Sequence, residues 1–130
     1  MMSQALATPA AHVLAVDDSL TMRELLRSAL SEAGYAVTLA SDGREALVRL
    51  AETTPDLIVT DLNMPHLDGF GLIEAVRSGV QAARIPILVL TTETGAELKD
   101  RARRMGATGW IGKPFDDAAL VATIRRVLPG

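Results

Sequence analysis

The sequence predicts an α/β fold built on a parallel sheet, and the alternation and the number of its apolar segments carry this prediction. Short apolar runs of four to six residues alternate along the chain with longer segments of helical period. The length of 130 residues suits one domain, and the absence of cysteine excludes disulfide and thiolate zinc sites. Five strand and helix pairs can be counted, which predicts a doubly wound sheet with five helices distributed over its two faces.

The predicted strands are short and rich in apolar or β-branched residues. In chain order they cover residues 13–16, 36–40, 57–60, 87–90 and 109–111. The third strand is uninterrupted by charge, which is typical of a strand that is covered on both faces.

The predicted helices have an apolar face and recognisable ends. Gly34 is predicted to end the first helix, and Asp42 with Glu45 forms an N-terminal capping pair for the second. The third and fourth helices are predicted at about 70–76 and 96–105. The residues predicted to be buried on the first, second and last helices are, in turn, Met22, Leu25, Leu26, Ala29, Leu30 and Ala33; Leu47, Leu50 and Ala51; and Leu120, Ile124, Val127 and Leu128.

Composition and charge limit the possible classes of function. Residues 1–11 lack a basic start and an apolar core, so they are predicted to form a disordered tail and not a signal peptide, ahead of one domain over 12–130. The longest apolar stretches, such as 85–90, are far shorter than the roughly 20 residues that span a bilayer. The net charge of −3 gives no electrostatic basis for binding nucleic acid. We therefore expect a soluble, cytoplasmic protein.

Polar and charged residues follow four of the predicted strands. Asp17 and Asp18 come after the first strand, Asp61 after the third, Thr91 after the fourth and Lys113 after the fifth. Because ligands of open parallel sheets bind beyond the carboxyl ends of the strands, we expect these side chains at one edge. Three carboxylates about 5 Å apart repel by roughly 3 kcal/mol per pair at an effective dielectric constant of 20, so a counter-charge is needed.

A divalent cation would supply that counter-charge. Hard oxygen ligands suit Mg²⁺ better than Zn²⁺, and a pocket that adds an ammonium and a hydroxyl is suited to a phosphoryl group. Asp61, at the end of the central strand, is then the predicted nucleophile. Taken singly, Asp17, Asp18 and Thr91 could be helix caps, Lys113 a solvated side chain and Asp61 a loop residue. Their arrival at corresponding strand ends favours the phosphoryl site.

Four motifs occur in order along the chain. They are Val16-Asp17-Asp18-Ser19, Thr60-Asp61-Leu62-Asn63-Met64-Pro65 followed by Asp68-Gly69, Leu90-Thr91-Thr92, and Gly112-Lys113-Pro114-Phe115. With these motifs, the segment from about His12 to Leu128 resembles the receiver domain of bacterial response regulators. The resemblance implies a flavodoxin-like (CheY-like) fold, a doubly wound parallel sheet of five strands in the order 2-1-3-4-5 with five helices.

The resemblance also implies a role for each site residue. Asp61 matches the phosphorylated aspartate, Thr91 the hydroxyl that moves toward the phosphoryl group, and Lys113 the ammonium that pairs with it. The residues that match the Mg²⁺ site are Asp18 and Asp61, the backbone carbonyl of Asn63, and Asp17 acting through a water molecule. The bond Lys113-Pro114 is a candidate cis peptide.

Within the family, the chain looks most like the single-domain chemotaxis (CheY-type) regulators. The similarity lies in Asp18-Ser19 followed by Met22-Arg23, in Asn63 two residues after the acceptor, and in Glu93 two residues after the threonine. This implies a monomeric phosphoacceptor switch that catalyses only its own phosphorylation and dephosphorylation. Its expected partners are a histidine kinase as phosphodonor and a flagellar motor switch protein or a phosphatase. A phosphate sink or a phosphorelay intermediate is an open alternative.

Trp110 departs from the family pattern, in which the aromatic switch position is most often tyrosine or phenylalanine and sometimes histidine. We predict that Trp110 repacks together with Thr91 on phosphorylation, so that the fourth helix, fifth strand and fifth helix present a changed surface. The alternative is a tryptophan that only packs against the fourth helix.

Two rival classes share parts of this pattern. A flavin-binding protein of the same architecture needs backbone donors for phosphate in its first loop, where Asp17-Asp18 would repel an anion. An aspartate-based hydrolase needs a second carboxylate two residues after the nucleophile, and Asn63 stands there. Both rivals are therefore disfavoured.

Overall fold

A five-stranded parallel sheet determines the layout of the molecule, in a computed structural model that describes residues 11–79 and 84–128. The strands are β1 (His12–Val16), β2 (Ala36–Ala40), β3 (Leu57–Thr60), β4 (Ile87–Thr91) and β5 (Gly109–Gly112). They are hydrogen-bonded in the order β2-β1-β3-β4-β5, which confirms the predicted order. The direction of winding reverses between β1 and β3, and this places a crevice at their carboxyl ends.

Five helices cover the sheet within the described ranges. They are α1 (Leu20–Glu32), α2 (Gly43–Glu52), α3 (Gly69–Ser78), α4 (Ala96–Met105) and α5 (Asp117–Val127). The predicted capping pair of α2 is confirmed, because the Asp42 side chain accepts a hydrogen bond from the Glu45 amide at 2.8 Å. The Glu45 carboxylate in turn accepts from the Ser41 amide. Gly34 follows α1 with a φ of 96°, a left-handed conformation that glycine adopts without steric cost.

Alternate residues of the central strands point to opposite faces of the sheet. Val13 and Ala15 pack with residues of α1 and α5, whereas Leu14 and Val16 pack with residues of α2, α3 and α4. The helix residues buried on the first face are Leu26, Ala29, Leu30, Leu120 and Ile124. Those buried on the second face include Ala46, Leu72, Ile73, Val76 and Ala102. Every residue of β3 is buried, as expected for a strand covered on both faces.

Two predicted core positions are wrong. Leu25 is 51 % exposed, and Ala51 is also exposed. Leu25 lies one residue, about 100° of helix rotation, from the fully buried Leu26 of α1. Ala51 lies five residues, about 140° of rotation, from the fully buried Ala46 of α2. Apolar character alone does not distinguish these exposed positions from the buried positions of the same helices. The predicted bounds of the strands and of α3 differ from the observed bounds by no more than two residues, and the bounds of α4 agree.

The tail predicted for residues 1–11 lies outside the described residues except for Ala11, whose carbonyl accepts a hydrogen bond from the Ala36 amide at 2.9 Å. The boundaries of the domain at 12 and 130 stay a prediction. None of the helices in the described part of the chain has the length and apolar character needed to cross a membrane.

Gly69 provides a test of how closely α3 packs on the loop after β3. A Cβ at this position would clash with the Asp61 carbonyl oxygen and lie 2.8 Å from the Leu62 Cα, and backbone atoms of the sheet edge move only at a cost. We expect Gly69→Ala to lower the free energy of unfolding by about 1–3 kcal/mol in urea titrations. Gly112→Ala is the control, since nothing lies within 4 Å of its Cβ. Equal stability of the two variants would contradict this packing.

Candidate functional site

The backbone of the sheet brings Asp17 and Asp61 to neighbouring positions at its carboxyl edge. The Asp61 amide donates to the Val16 carbonyl at 3.0 Å, and the Asp17 amide donates to the Ala40 carbonyl at 3.1 Å. Both residues therefore continue the strand pairing for one step beyond β1 and β3. Asp17 is 0 % exposed and Asp61 is 8 % exposed, so two acidic residues are buried side by side.

A third carboxylate completes the cluster. Asp17, Asp18 and Asp61 each offer a carboxylate oxygen, and these oxygens lie within 4.8 Å of one another. Asp18 is exposed, so the cluster opens to solvent on its side. The sequence-based prediction of a carboxylate site at this edge agrees with the placement of these three residues.

Lys113 enters the cluster from the end of β5. Its Nζ donates to Asp17 Oδ2 at 2.6 Å and to Asp61 Oδ2 at 3.1 Å. Burial by itself lowers the pKa of Lys113, but the hydrogen bonds and charge attraction from Asp17 and Asp61 outweigh burial and raise that pKa above its ordinary value. Lys113 is therefore an ammonium ion at neutral pH. Three carboxylates against one ammonium leave two negative charges uncompensated among these groups.

Backbone amides orient the two buried carboxylates. Asp17 Oδ1 accepts from the Ser19 amide at 2.9 Å, and Asp61 Oδ1 accepts from the Leu62 amide at 2.7 Å. Each carboxylate thus has one oxygen bound to the backbone and the other bound to Lys113. Hydrogen bonds to charged groups are stronger than neutral ones, so the side chains are held in one orientation before any ligand binds.

Thr91, Asn63 and Glu93 lie at or just beyond the carboxyl ends of β3 and β4. Thr91 is the last residue of β4 and is buried, and its hydroxyl accepts from the Glu93 amide at 3.2 Å. The Asn63 side chain donates to the Glu93 carboxylate at 3.3 Å. The Lys113 amide donates to the Thr91 carbonyl, and the bond Lys113-Pro114 is cis, as predicted. The movement of Thr91 and a ligand role for the Asn63 carbonyl stay predictions.

Trp110 lies on β5 opposite Val89 and packs against the core on the α4 side of the sheet. Its ring centroid is 5.9 Å from the Lys99 ammonium, a cation–π contact with α4. Trp110 also lines an open cavity of about 220 Å³ between α4 and β5, next to Ala102 and Arg103. Trp110 is therefore in contact with α4, the helix whose surface is predicted to change together with it.

Two arginines have structural roles that the sequence did not indicate. The Arg23 guanidinium donates to the Asp17 carbonyl at 2.7 Å, and the Arg77 guanidinium donates to the carbonyls of Gly106 and Ile85. Burial lowers the pKa of Arg77. A side-chain bond to a distant carbonyl has no sequence pattern of its own, although an arginine near the positive end of a helix is an unusual placement.

The donor set determines what the cluster can bind. All three side chains that could coordinate a metal offer carboxylate oxygens, which are hard ligands. No described histidine or cysteine joins them. The two uncompensated negative charges favour a cation, and the exposed Asp18 leaves room for coordinated water. These residues fit Mg²⁺.

Comparison with known proteins gives consistent results. Residues 13–125 match the response regulator receiver domain family. The Vibrio cholerae chemotaxis protein CheY4 superposes with a TM-score of 0.88 at 47 % identity, covering 92 % of this chain and 99 % of that chain. The probable chemotaxis protein CheY of Rhizobium etli is 35 % identical over 116 residues, which cover 88 % of this chain and 90 % of that protein.

A further solved structure holds a metal. It is the receiver domain of the Pseudomonas aeruginosa sensor histidine kinase PA1611, which has a magnesium ion in its active site cleft. Its TM-score is 0.83 at 27 % identity, with coverage of 90 % and 96 % of the two chains. The chain spans about half the length of other curated relatives that it matches.

The excess negative charge of the cluster predicts a stabilising substitution. We expect Asp18→Asn to raise the midpoint of thermal unfolding by a few degrees in excess chelator, because it removes repulsion from Asp17 and Asp61 without deleting a buried hydrogen bond. Asp100→Asn is the matched control on α4, where the carboxylate is exposed and pairs with Arg103. A midpoint for Asp18→Asn at or below that of the unsubstituted protein would contradict the charge balance described above.

Proposed function

This chain belongs to the response regulator receiver domains of two-component systems, and on that premise we propose that Asp61 is its phosphoacceptor in a Mg²⁺-dependent reaction. The observation that supports the proposal best is the bridge that Lys113 makes between the buried Asp17 and Asp61, with the Asp18 carboxylate alongside. This arrangement combines a nucleophile, a cation-binding group and a fixed ammonium within one crevice.

Asp61 supplies the nucleophile. A carboxylate oxygen of Asp61 attacks the phosphorus of the donor, an acyl phosphate forms, and the bond from phosphorus to the donor breaks. The Leu62 amide and Lys113 hold the two oxygens of this carboxylate, so it meets the donor in a fixed orientation. Receiver domains take the phosphoryl group from a histidine kinase, so the donor is a phosphohistidine.

Lys113 supplies positive charge where the phosphoryl oxygens arrive. Its ammonium is shared by Asp17 and Asp61, so it can shift from the Asp61 oxygen to a phosphoryl oxygen while it stays bonded to Asp17. Charge-assisted hydrogen bonds of this kind are roughly twice as strong as neutral ones. Lys113 therefore has a charged partner before and after the transfer.

The residues that would hold Mg²⁺ are Asp18 and Asp61, the Asn63 carbonyl, and Asp17 through water. Bound Mg²⁺ would neutralise negative charge on the phosphoryl oxygens. The magnesium ion in the active site cleft of the PA1611 receiver domain supports magnesium as the metal.

The signal is proposed to leave through α4, β5 and α5. A phosphoryl group adds about two negative charges at Asp61, which draws Thr91 and Lys113 toward it and frees space for Trp110 to repack. The packing of Trp110 against α4 and its contact with Lys99 support a coupled change of that face. Local contacts then shift the population of two states of the face.

We place this output in chemotaxis because the chain covers nearly all of two chemotaxis regulators, 99 % of CheY4 and 90 % of the Rhizobium etli protein. The proposed partners are a flagellar motor switch protein or a phosphatase. A pull-down with and without a phosphoryl mimic distinguishes this output from the alternatives. A chemotaxis regulator would retain one of these partners, whereas a phosphate sink or relay intermediate would retain a kinase or a phosphotransfer protein.

The cytoplasmic location and the monomeric state stay predictions, whereas family membership sets aside the flavin-binding and hydrolase alternatives.

The phosphoacceptor is tested by labelling with acetyl phosphate. We expect Asp61→Asn to abolish labelling, because an amide cannot form the acyl phosphate, and we expect excess chelator to stop labelling of the unsubstituted protein. Asp68→Asn is the matched control, since it makes the same change in the same loop and asparagine can still cap α3 at the Gly71 amide. Labelling is measured by intact-protein mass spectrometry.

Two results would contradict the assignment of Asp61. One is a base-stable phosphate on serine or threonine, and the other is undiminished labelling in excess chelator.

Trp110 reports on the proposed output. With Mg²⁺ at saturation, we expect beryllofluoride to change the tryptophan emission of the unsubstituted protein but not that of Asp61→Asn, because Trp110 is the only tryptophan of the chain. Amide hydrogen exchange of residues 91–111 is measured in parallel. If emission and exchange are the same with and without beryllofluoride, Trp110 only packs against α4 and the signal takes another route.

A further inference from the structure

Asp17 is completely buried, and each of its polar groups has a partner. Its amide donates to the Ala40 carbonyl, and its two carboxylate oxygens accept from the Ser19 amide and from Lys113. The remaining group is the carbonyl oxygen, which accepts from the Arg23 guanidinium at 2.7 Å. A buried carbonyl without a partner is costly, so this bond is needed for the turn after β1 to keep its shape.

Arg23 lies near the N-terminal end of α1, where the helix dipole disfavours a positive charge. It is the fourth residue of α1, its amide donates to the carbonyl of the capping residue Ser19, and the first turn contains no acidic residue. The N-terminal end of a helix carries partial positive charge, which disfavours arginine there. None of the carboxylates in the described part of the chain forms an ion pair with Arg23, whereas Arg27, one turn later, pairs with Glu24. The bond to the Asp17 carbonyl is therefore the contact that accounts for this side chain.

The carbonyl that Arg23 holds belongs to the peptide group joining Asp17 to Asp18. A change in the torsion about the Cα–C bond of Asp17 would turn this carbonyl away from Arg23, and it would also move the Cα of Asp18 and carry its carboxylate away from those of Asp17 and Asp61. Asp18 is exposed, and in the described part of the chain its side chain has no hydrogen bond that would place it. Its position within 4.8 Å of the other carboxylates thus depends on the backbone of the turn.

We propose that Arg23 is a positioning residue for the metal and phosphoryl site, acting through the peptide between Asp17 and Asp18 to hold the Asp18 carboxylate in the cluster. This inference rests on the proposed function, because it assumes that the cluster binds Mg²⁺. Residues that orient metal ligands without touching the metal commonly change metal affinity by about 10- to 100-fold when they are replaced.

The test compares Arg23→Met with Arg27→Met. Both substitutions remove an arginine from α1 and keep an unbranched apolar side chain, but only the first removes the bond to the Asp17 carbonyl. We expect the dissociation constant of Mg²⁺, measured by isothermal titration calorimetry, to rise at least about 10-fold for Arg23→Met and to change less than about 2-fold for Arg27→Met. Arg23→Lys, which keeps one charged donor, is expected to recover part of the affinity.

A second readout does not involve the metal. In excess chelator, the backbone amide resonances of Asp18 and Ser19 are expected to shift in Arg23→Met and to stay in place in Arg27→Met. If Arg23→Met is not folded in buffer, all proteins are compared in a stabilising osmolyte, with the unsubstituted protein in the same solvent as reference.

Several outcomes would overturn the role of Arg23. They are an unchanged Mg²⁺ affinity in Arg23→Met, an equal loss in both methionine variants, and unshifted Asp18 and Ser19 resonances. If the unsubstituted protein itself failed to bind Mg²⁺, the proposed function would be wrong. If the unsubstituted protein and Arg23→Met bound Mg²⁺ equally well, only the role of Arg23 would be wrong.

Discussion

The structure depends on the electrostatic balance around Lys113. Two acidic residues, Asp17 and Asp61, lie buried at the ends of adjacent strands, and one ammonium donates to both. Taking a charge out of water costs several kcal/mol, and the loss of one partner leaves the others unpaired in a medium of low dielectric constant. The cluster is therefore stable with Lys113 in place but still short of positive charge, and this shortage makes it receptive to a cation.

The rest of the fold serves to keep these groups together. The ladder of parallel strands sets Asp17 and Asp61 side by side, and the register between β4 and β5 brings Lys113 next to the end of β4. The helices seal both faces of the sheet, and the side chains of Asp17 and Asp61 have low exposure and therefore strong mutual interaction. The backbone amides of Ser19 and Leu62 and the side chain of Arg23 then settle the orientation of the acidic groups.

The attachment of α4 differs from that of the other helices. Only Ala102 of α4 is fully buried within the described residues, and cations make several of its remaining contacts. Arg101 stacks on the Phe70 ring at 4.0 Å, Lys99 lies over Trp110, and Arg77 holds the carbonyl that follows the helix at Gly106. A helix held by few buried apolar contacts can change its packing at a small cost in free energy. This property fits the proposed route of the signal from the crevice to the surface.

The number and kinds of secondary structure elements follow from the sequence, because apolar periodicity and the residues at helix ends are local signals. The sequence also identified Asp17, Asp18, Asp61 and Lys113, since each lies within two residues of the end of a predicted strand. The strand order came from a family resemblance, because pairing between distant strands leaves no local pattern. Only the tertiary structure showed that Leu25 is exposed and that Lys113 bridges Asp17 and Asp61. It alone also gave the bond from Arg23 to the Asp17 carbonyl. The physical reason is that burial and long-range hydrogen bonds depend on how whole elements pack, and the neighbours of a residue in the sequence do not specify that packing.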